Sequence, residues 1–164
     1  MEKIQLDVKL DGNRNKTGTL ILKINGKIVK RYKVLGRGSR GKGDTSMLKN
    51  GNTPTGEYSG NYIVDTTSWN QNSYGPNGAI RLNPTGGRAL LAKQKGRSGL
   101  LIHGGKLGGQ KYWRGKGQLR ATHGCLRLQN EDIKNLINQI NQIRYNEAQQ
   151  MCVNTQVKII VSEQ

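Results

Sequence analysis

LILKINGKIVKRYKVL, residues 20–35, sets two apolar-rich runs on either side of Asn25-Gly26. That dipeptide takes up the positive φ angles of a type I′ turn more readily than other pairs, so the stretch predicts a β-hairpin from about Leu20 to Leu35. Upstream, IQLDVKL (4–10) alternates strictly, with Ile4, Leu6, Val8 and Leu10 on one face and Gln5, Asp7 and Lys9 on the other. This is the pattern of a half-buried strand. Shorter strands are predicted at 57–64, 79–82, 100–103 and 156–161, each bounded by Gly, Pro or Asn.

Residues 36–51, GRGSRGKGDTSMLKNG, have many glycines and little apolar content and predict an irregular loop. One helix is predicted from about Asn130, an Asn fit to cap it, with Glu131 and Asp132 at its positive end. Ile133, Leu136, Ile137, Ile140 and Ile143 then form a single apolar stripe that packs on the sheet. The expected fold is mainly β, a β-sandwich or open barrel with one packed helix near the C-terminus, in a single domain over residues 1–164.

Composition agrees with that reading. The chain has 23 glycines in 164 residues and no Phe, and an ordinary glycine share is roughly 7%. It is therefore rich in turns rather than poor in core. A net charge of +17 draws a protein toward polyanions such as nucleic acid, anionic lipid or an acidic cell wall. The cations come in short scattered groups without a basic helix or an aromatic RNA-binding signature, so nucleic acid is not expected as the partner. No apolar run approaches the ~20 residues needed to span a bilayer, which argues against membrane insertion, and MEKIQLDVKL lacks the apolar stretch of a secretory signal.

Only two histidines, His103 and His123, and two cysteines, Cys125 and Cys152, occur. Cys125 lies in THGCLRL (122–128), and His103 ends the predicted strand GLLIH (99–103). An ordinary thiol, with a pKa of about 8.5, needs an imidazole to take its proton near neutral pH. His103 at a strand end is held rigidly enough for that role, although on general grounds either imidazole serves. Cys152, in QQMCVNTQ, has no activating neighbour and reads as a small buried hydrophobe, so two free thiols are expected. Two His and one Cys without a CxxC or HExxH pairing supply at most three ligands, so neither metal nor cofactor is expected.

GLLIHGGKLGG (99–109) followed by THGCLRL resembles the active-site signature of the L,D-transpeptidase (YkuD-like) family. That signature has His-Gly at a strand end, then Ser/Thr-His-Gly-Cys, an aliphatic residue, and commonly Arg or Asn. NTPTGEY (52–58) is similar to the family's Thr-Pro-x-Gly-aromatic stretch, expected in the sheet beside the cleft. The gap from His103 to Thr122, 18 residues from Gly104 to Ala121, is longer than usual and carries Tyr112, Trp113, Arg114 and Lys116. Those residues suit an enlarged lid over a peptide, or an ordinary surface loop.

Carried over residue by residue, the resemblance implies Cys125 as nucleophile, His103 as general base and the Gly104 carbonyl as the group that orients the imidazole. It implies an oxyanion hole from backbone N–H groups around His123, Gly124 and Cys125, with His123 shaping the site. Arg127 is a candidate for the substrate carboxylate or for a structural role, Thr122 for a hydrogen bond in the site or in the local turn, and Tyr112 and Trp113 for the lid.

The implied reaction is thioester acyl transfer from a peptidoglycan tetrapeptide stem, with cross-linking, D-amino acid exchange or L,D-carboxypeptidase action as outcomes. The expected place of action is the bacterial periplasm or cell wall. A missing leader also resembles toxins injected by type VI systems, for which an immunity protein is the expected partner. A non-catalytic basic module that holds peptidoglycan is a third reading, and a monomer is expected throughout.

Overall fold

The computed structural model describes residues 3–41, 43–109, 117–149 and 155–164. The chain runs through β1 (Ile4–Leu10), β2 (Gly18–Ile24), β3 (Lys27–Val34), β4 (Gly56–Ser59) and β5 (Ile63–Val64) to a single helical turn, α1 (Gln71–Tyr74). It continues through β6 (Ala79–Arg81), β7 (Asn83–Gly86), α2 (Gly87–Gln94), β8 (Leu101–His103), β9 (Leu126–Arg127), α3 (Asn130–Gln149) and β10 (Val157–Glu163). The result is mainly β with one long helix near the C-terminus, as the sequence predicts.

Asn25 and Gly26 have φ of 53° and 80°, and β2 and β3 form the predicted hairpin around them. The first sheet has the order β3-β2-β1-β10-β4-β7. Its centre joins β1 to β10 in parallel, from Ile4 opposite Val157 to Leu10 opposite Glu163. Ile4, Leu6, Val8 and Leu10 are all buried, which is what strict alternation requires. The second sheet, β5-β6-β8-β9, is smaller and ends in a parallel pair, β8 with β9. Leu6, Leu22 and Ile159 of the first sheet share one core with Ile102 and Leu126 of the second and with Ile133, Leu136 and Ile140 of α3.

Two local readings need correction. The strand predicted over 57–64 is two strands in different sheets, broken at Gly60, where a Cβ would meet Ile159 Cδ1 at 2.5 Å. NTPTGEY is strand only from Gly56; Asn52, Thr53 and Pro54 form a buried, non-strand segment. Ile28 and Val29 of the hairpin are exposed on the edge strand β3, where a register shift opposite Leu22 and Lys23 interrupts the pairing. Three elements were not anticipated, the single turn α1 among them. GRALLAKQ forms α2 with good helix formers but buries only Ala89 and Ala92, too thin a stripe to give a periodic signal. The strand β7 contains Pro84 and sits at a sheet edge, where a missing N–H is tolerated.

Leu6 and Ile140 are fully enclosed, whereas Leu48 is 46% exposed. Leu6→Ala and Ile140→Ala are each expected to lower unfolding free energy in a denaturant titration by about 2–5 kcal/mol. Leu48→Ala is expected to stay within about 0.5 kcal/mol of the parent; equal losses at all three positions would contradict the assigned core.

Candidate active site

The sharp turn before β9 sets Cys125 in place. Gly124 has φ of 113°, and a Cβ there would collide with Arg97 Nη2 and with Gly51 O, so only glycine fits. The Thr122 hydroxyl donates to Cys125 O at 2.9 Å and accepts from Gly124 N at 3.0 Å. From outside the turn, Thr53 Oγ1 donates to Gly124 O at 2.6 Å. The Thr-Pro segment thus reaches the Cys125 turn through one hydroxyl, while Thr122 is engaged within the turn. Because Gly124 N–H is committed to Thr122, it is not one of the donors left for an oxyanion.

The parallel register of β8 and β9 pairs Ile102 with Leu126 and His103 with Arg127. Cys125 therefore lies level with Leu101, whose N–H donates to its sulfur at 3.3 Å. Side chains two apart on a strand share a face, so His103 and Cys125 open onto the same side, one step apart on neighbouring strands. Both line a single cleft of about 750 Å³. The thiol itself donates to Gly99 O at 3.7 Å.

The imidazole of His103 is 2% exposed, and its Nδ1 lies 2.6 Å from Gly104 O. A carbonyl only accepts, so Nδ1 carries the proton and Nε2 is left as a base. Asn130 steadies this end of β8: its Oδ1 accepts from Gly105 N at 2.8 Å and its Nδ2 donates to Gly105 O at 2.9 Å. A Cβ on Gly104 would run into the same amide. The ring of Tyr74 packs on His103 with centroids 5.1 Å apart and is braced in turn by Trp69 at 5.0 Å. Sequence reading assigned Asn130 only to a helix cap and passed over Tyr74, which stands far from the His-Gly and Cys blocks.

Burial lowers the His103 pKa to about 4, helped by the charge of Arg127 and opposed by the Gly104 carbonyl. Burial also raises the Cys125 thiol, against the Leu101 N–H and the charges of Arg127 and Arg97. At neutral pH both groups are therefore uncharged, a thiol beside an imidazole rather than a thiolate–imidazolium pair. His123 is different: it is exposed at the cleft rim, with Nδ1 3.1 Å from Ser39 Oγ.

Arg127 is buried and donates to Lys106 O at 2.8 Å and Ser73 O at 3.1 Å; its Nε has no partner among the described residues. Burial brings it down to about 10, which leaves it cationic at neutral pH. Arg97, unremarked in the sequence, is also buried and holds Ser46 O, Gly51 O and Asn52 O. It anchors the 36–51 loop from the end of α2, and Ser39, Lys49 and Asn50 of that loop line the cleft despite its irregular backbone. Tyr112, Trp113 and Cys152 lie outside the described residues. Among the described residues no group of three or more His, Cys, Asp or Glu converges on a common point, and no described helix is long and apolar enough to cross a membrane.

The chain has a counterpart among known families. The sequence model of the L,D-transpeptidase catalytic domain, YkuD, matches residues 10–159. The chain belongs to that family. The L,D-transpeptidase (residues 123–326) from Xylanimonas cellulosilytica is similar over 98% of this chain and 60% of its own, at 13% identity and a TM-score of 0.51. Mycobacterium tuberculosis L,D-transpeptidase 1 is similar at 15% identity over 98% of this chain and 62% of its own, TM-score 0.45. The L,D-transpeptidase from Mycobacterium smegmatis is similar at 15% over 97% and 59%, TM-score 0.46. The chain thus spans about three-fifths of the length of these solved structures. Comparison with curated proteins gives no match.

In this member of the L,D-transpeptidase catalytic domain family, a raised thiol and a lowered imidazole set a definite pH dependence. Alkylation of Cys125 by a small haloacetamide is expected to accelerate continuously from pH 6 to pH 9, because the thiolate forms only as pH climbs toward a raised pKa. A rate already at plateau by pH 5–6 would mean that an ion pair exists and that the burial argument fails.

Proposed function

We propose that the chain is a cysteine L,D-transpeptidase acting on peptidoglycan tetrapeptide stems as a single domain over residues 1–164, in the bacterial periplasm or wall. The observation that carries this reading is the His103 Nδ1 contact with Gly104 O, which frees Nε2 on the face of the sheet that bears Cys125. Membership of the family supplies the substrate class. A binding-only module needs neither a tautomer-locked base nor a thiol buried beside it.

In the proposed reaction the Cys125 sulfur attacks the carbonyl of the third stem residue while its proton passes to His103 Nε2. The backbone around Cys125 donates to the oxyanion; Gly124 contributes an open surface for the approaching carbonyl rather than its N–H. Collapse breaks the bond to the terminal D-alanine, whose amine departs with the proton from His103, and a thioester remains. An amine or water then attacks the thioester and gives a proton to His103, which returns it to the sulfur. Because the imidazole is neutral at the outset, it accepts and returns one proton per half-reaction without needing a low pH. Arg127, cationic and lining the cleft, suits a stem carboxylate.

Cys125→Ala is expected to abolish release of D-alanine from a tetrapeptide stem while leaving the circular dichroism spectrum unchanged. A carbapenem is expected to add to Cys125 in the parent by intact mass and peptide mapping; an adduct on Cys152 instead would move the nucleophile. His103→Gln is expected to reduce acylation by about 10² to 10⁴. His123→Gln, at an exposed rim position, is expected to cost far less; the reverse order of effects would make His123 the base.

A further inference from the structure

Residues 66–130 contain eleven Lys and Arg and no Asp or Glu, although the chain has ten acidic residues. The fold brings described parts of this acid-free stretch to the candidate cleft. Lys49, Lys95, Lys106 and Arg120 line it, with Arg97 and Arg127 beneath, and no carboxylate is among its described lining residues. Lys49, Lys95 and Arg120 are exposed, so their ammonium and guanidinium groups are open to a ligand. The four ion pairs among the described residues, Arg14–Glu163, Lys23–Asp7, Arg88–Asp44 and Lys158–Glu57, involve none of these lining residues.

The two buried arginines sharpen the point. Burying a cation is costly unless it is paired, and neither Arg97 nor Arg127 has a carboxylate partner among the described residues. Both are held by backbone carbonyls alone, and Arg127 retains a buried Nε with no partner there. Arg120 stands close enough to Arg127 to push its pKa further down. A concave wall of one sign over low-dielectric surroundings concentrates its field inside the cleft.

We propose that this cleft selects donor peptides by their negative charge, taking stems whose internal carboxylates are free and rejecting stems in which they are carboxamides. The inference rests on the transpeptidase reading above and extends it to the substrate's charge. A single terminal carboxylate meets one cation, whereas the cleft offers six around one thiol. The charge is arranged about a cavity of peptide size rather than along an open ridge, which favours a peptide over a long polyanion.

The test uses two synthetic tetrapeptide stems that differ only in whether the internal carboxylates are free acids or amides. Cys125 acylation is followed by intact mass, and release of the terminal residue gives kcat and KM at low and moderate salt. The free-acid stem is expected to be preferred at least tenfold in kcat/KM, mainly through KM, with the preference shrinking as salt screens the cleft. Arg120→Gln and Lys106→Gln are expected to narrow the preference several-fold through KM, and Arg120→Lys to restore it. Equal kcat/KM for the two stems, both acylating Cys125, overturns charge selection and leaves the transpeptidase reading standing. Acylation by neither stem overturns that reading and this inference with it. A duplex oligonucleotide bound more tightly than the free-acid stem, with no discrimination between stems, assigns the field to nucleic acid and overturns the inference as well.

Discussion

Everything proposed for this protein depends on the parallel pairing of β8 with β9. The strands are three and two residues long, too short to persist as an isolated pair in water. Their partners on all sides hold them. Leu128 N donates to His103 O at 3.0 Å, and Leu35 exchanges both backbone bonds with Arg127, which links β9 to the end of the N-terminal hairpin. The stripe of α3 closes the back of the sheet with Ile133, Leu136 and Ile140. A pairing slip of one residue would turn either Cys125 or His103 into that core and separate them.

The same packing sets the electrostatics. A cysteine on an open surface beside a histidine tends toward an ion pair, but here both groups are buried, His103 at 2% and Cys125 at 8% exposure. Desolvation is the largest influence on each, and it disfavours the charged form of both. The Leu101 N–H, Arg97 and Arg127 favour the thiolate without overcoming burial. The pair therefore rests as a neutral thiol and a neutral imidazole, which suits the proposed reaction, in which the proton moves as the carbonyl is attacked.

Elements with strong periodicity were legible in the sequence: β1, the hairpin at Asn25-Gly26, and α3 with its five-residue apolar stripe. The expected site residues His103, Gly104, His123, Gly124 and Cys125 do surround one cleft or the turn beneath it. What was not legible depends on contacts distant in sequence. Arg97 matters because it touches carbonyls 45 to 51 residues away, and Thr53 because its hydroxyl meets Gly124 O 71 residues on. Tyr74 stands on one helical turn that has no buried residues to announce it. The commitment of Gly124 N–H to Thr122 is a matter of hydroxyl direction, which no spacing encodes.

The central claim is that His103 is a neutral base with its proton fixed on Nδ1. Nitrogen-15 NMR of the labelled imidazole, titrated from pH 4 to pH 8, reads this directly. The account predicts a protonated Nδ1 and a bare Nε2 throughout pH 5.5 to 8, with the second proton added only as pH falls toward about 4. A ring protonated at both nitrogens near pH 7, or one with its single proton on Nε2, would contradict it.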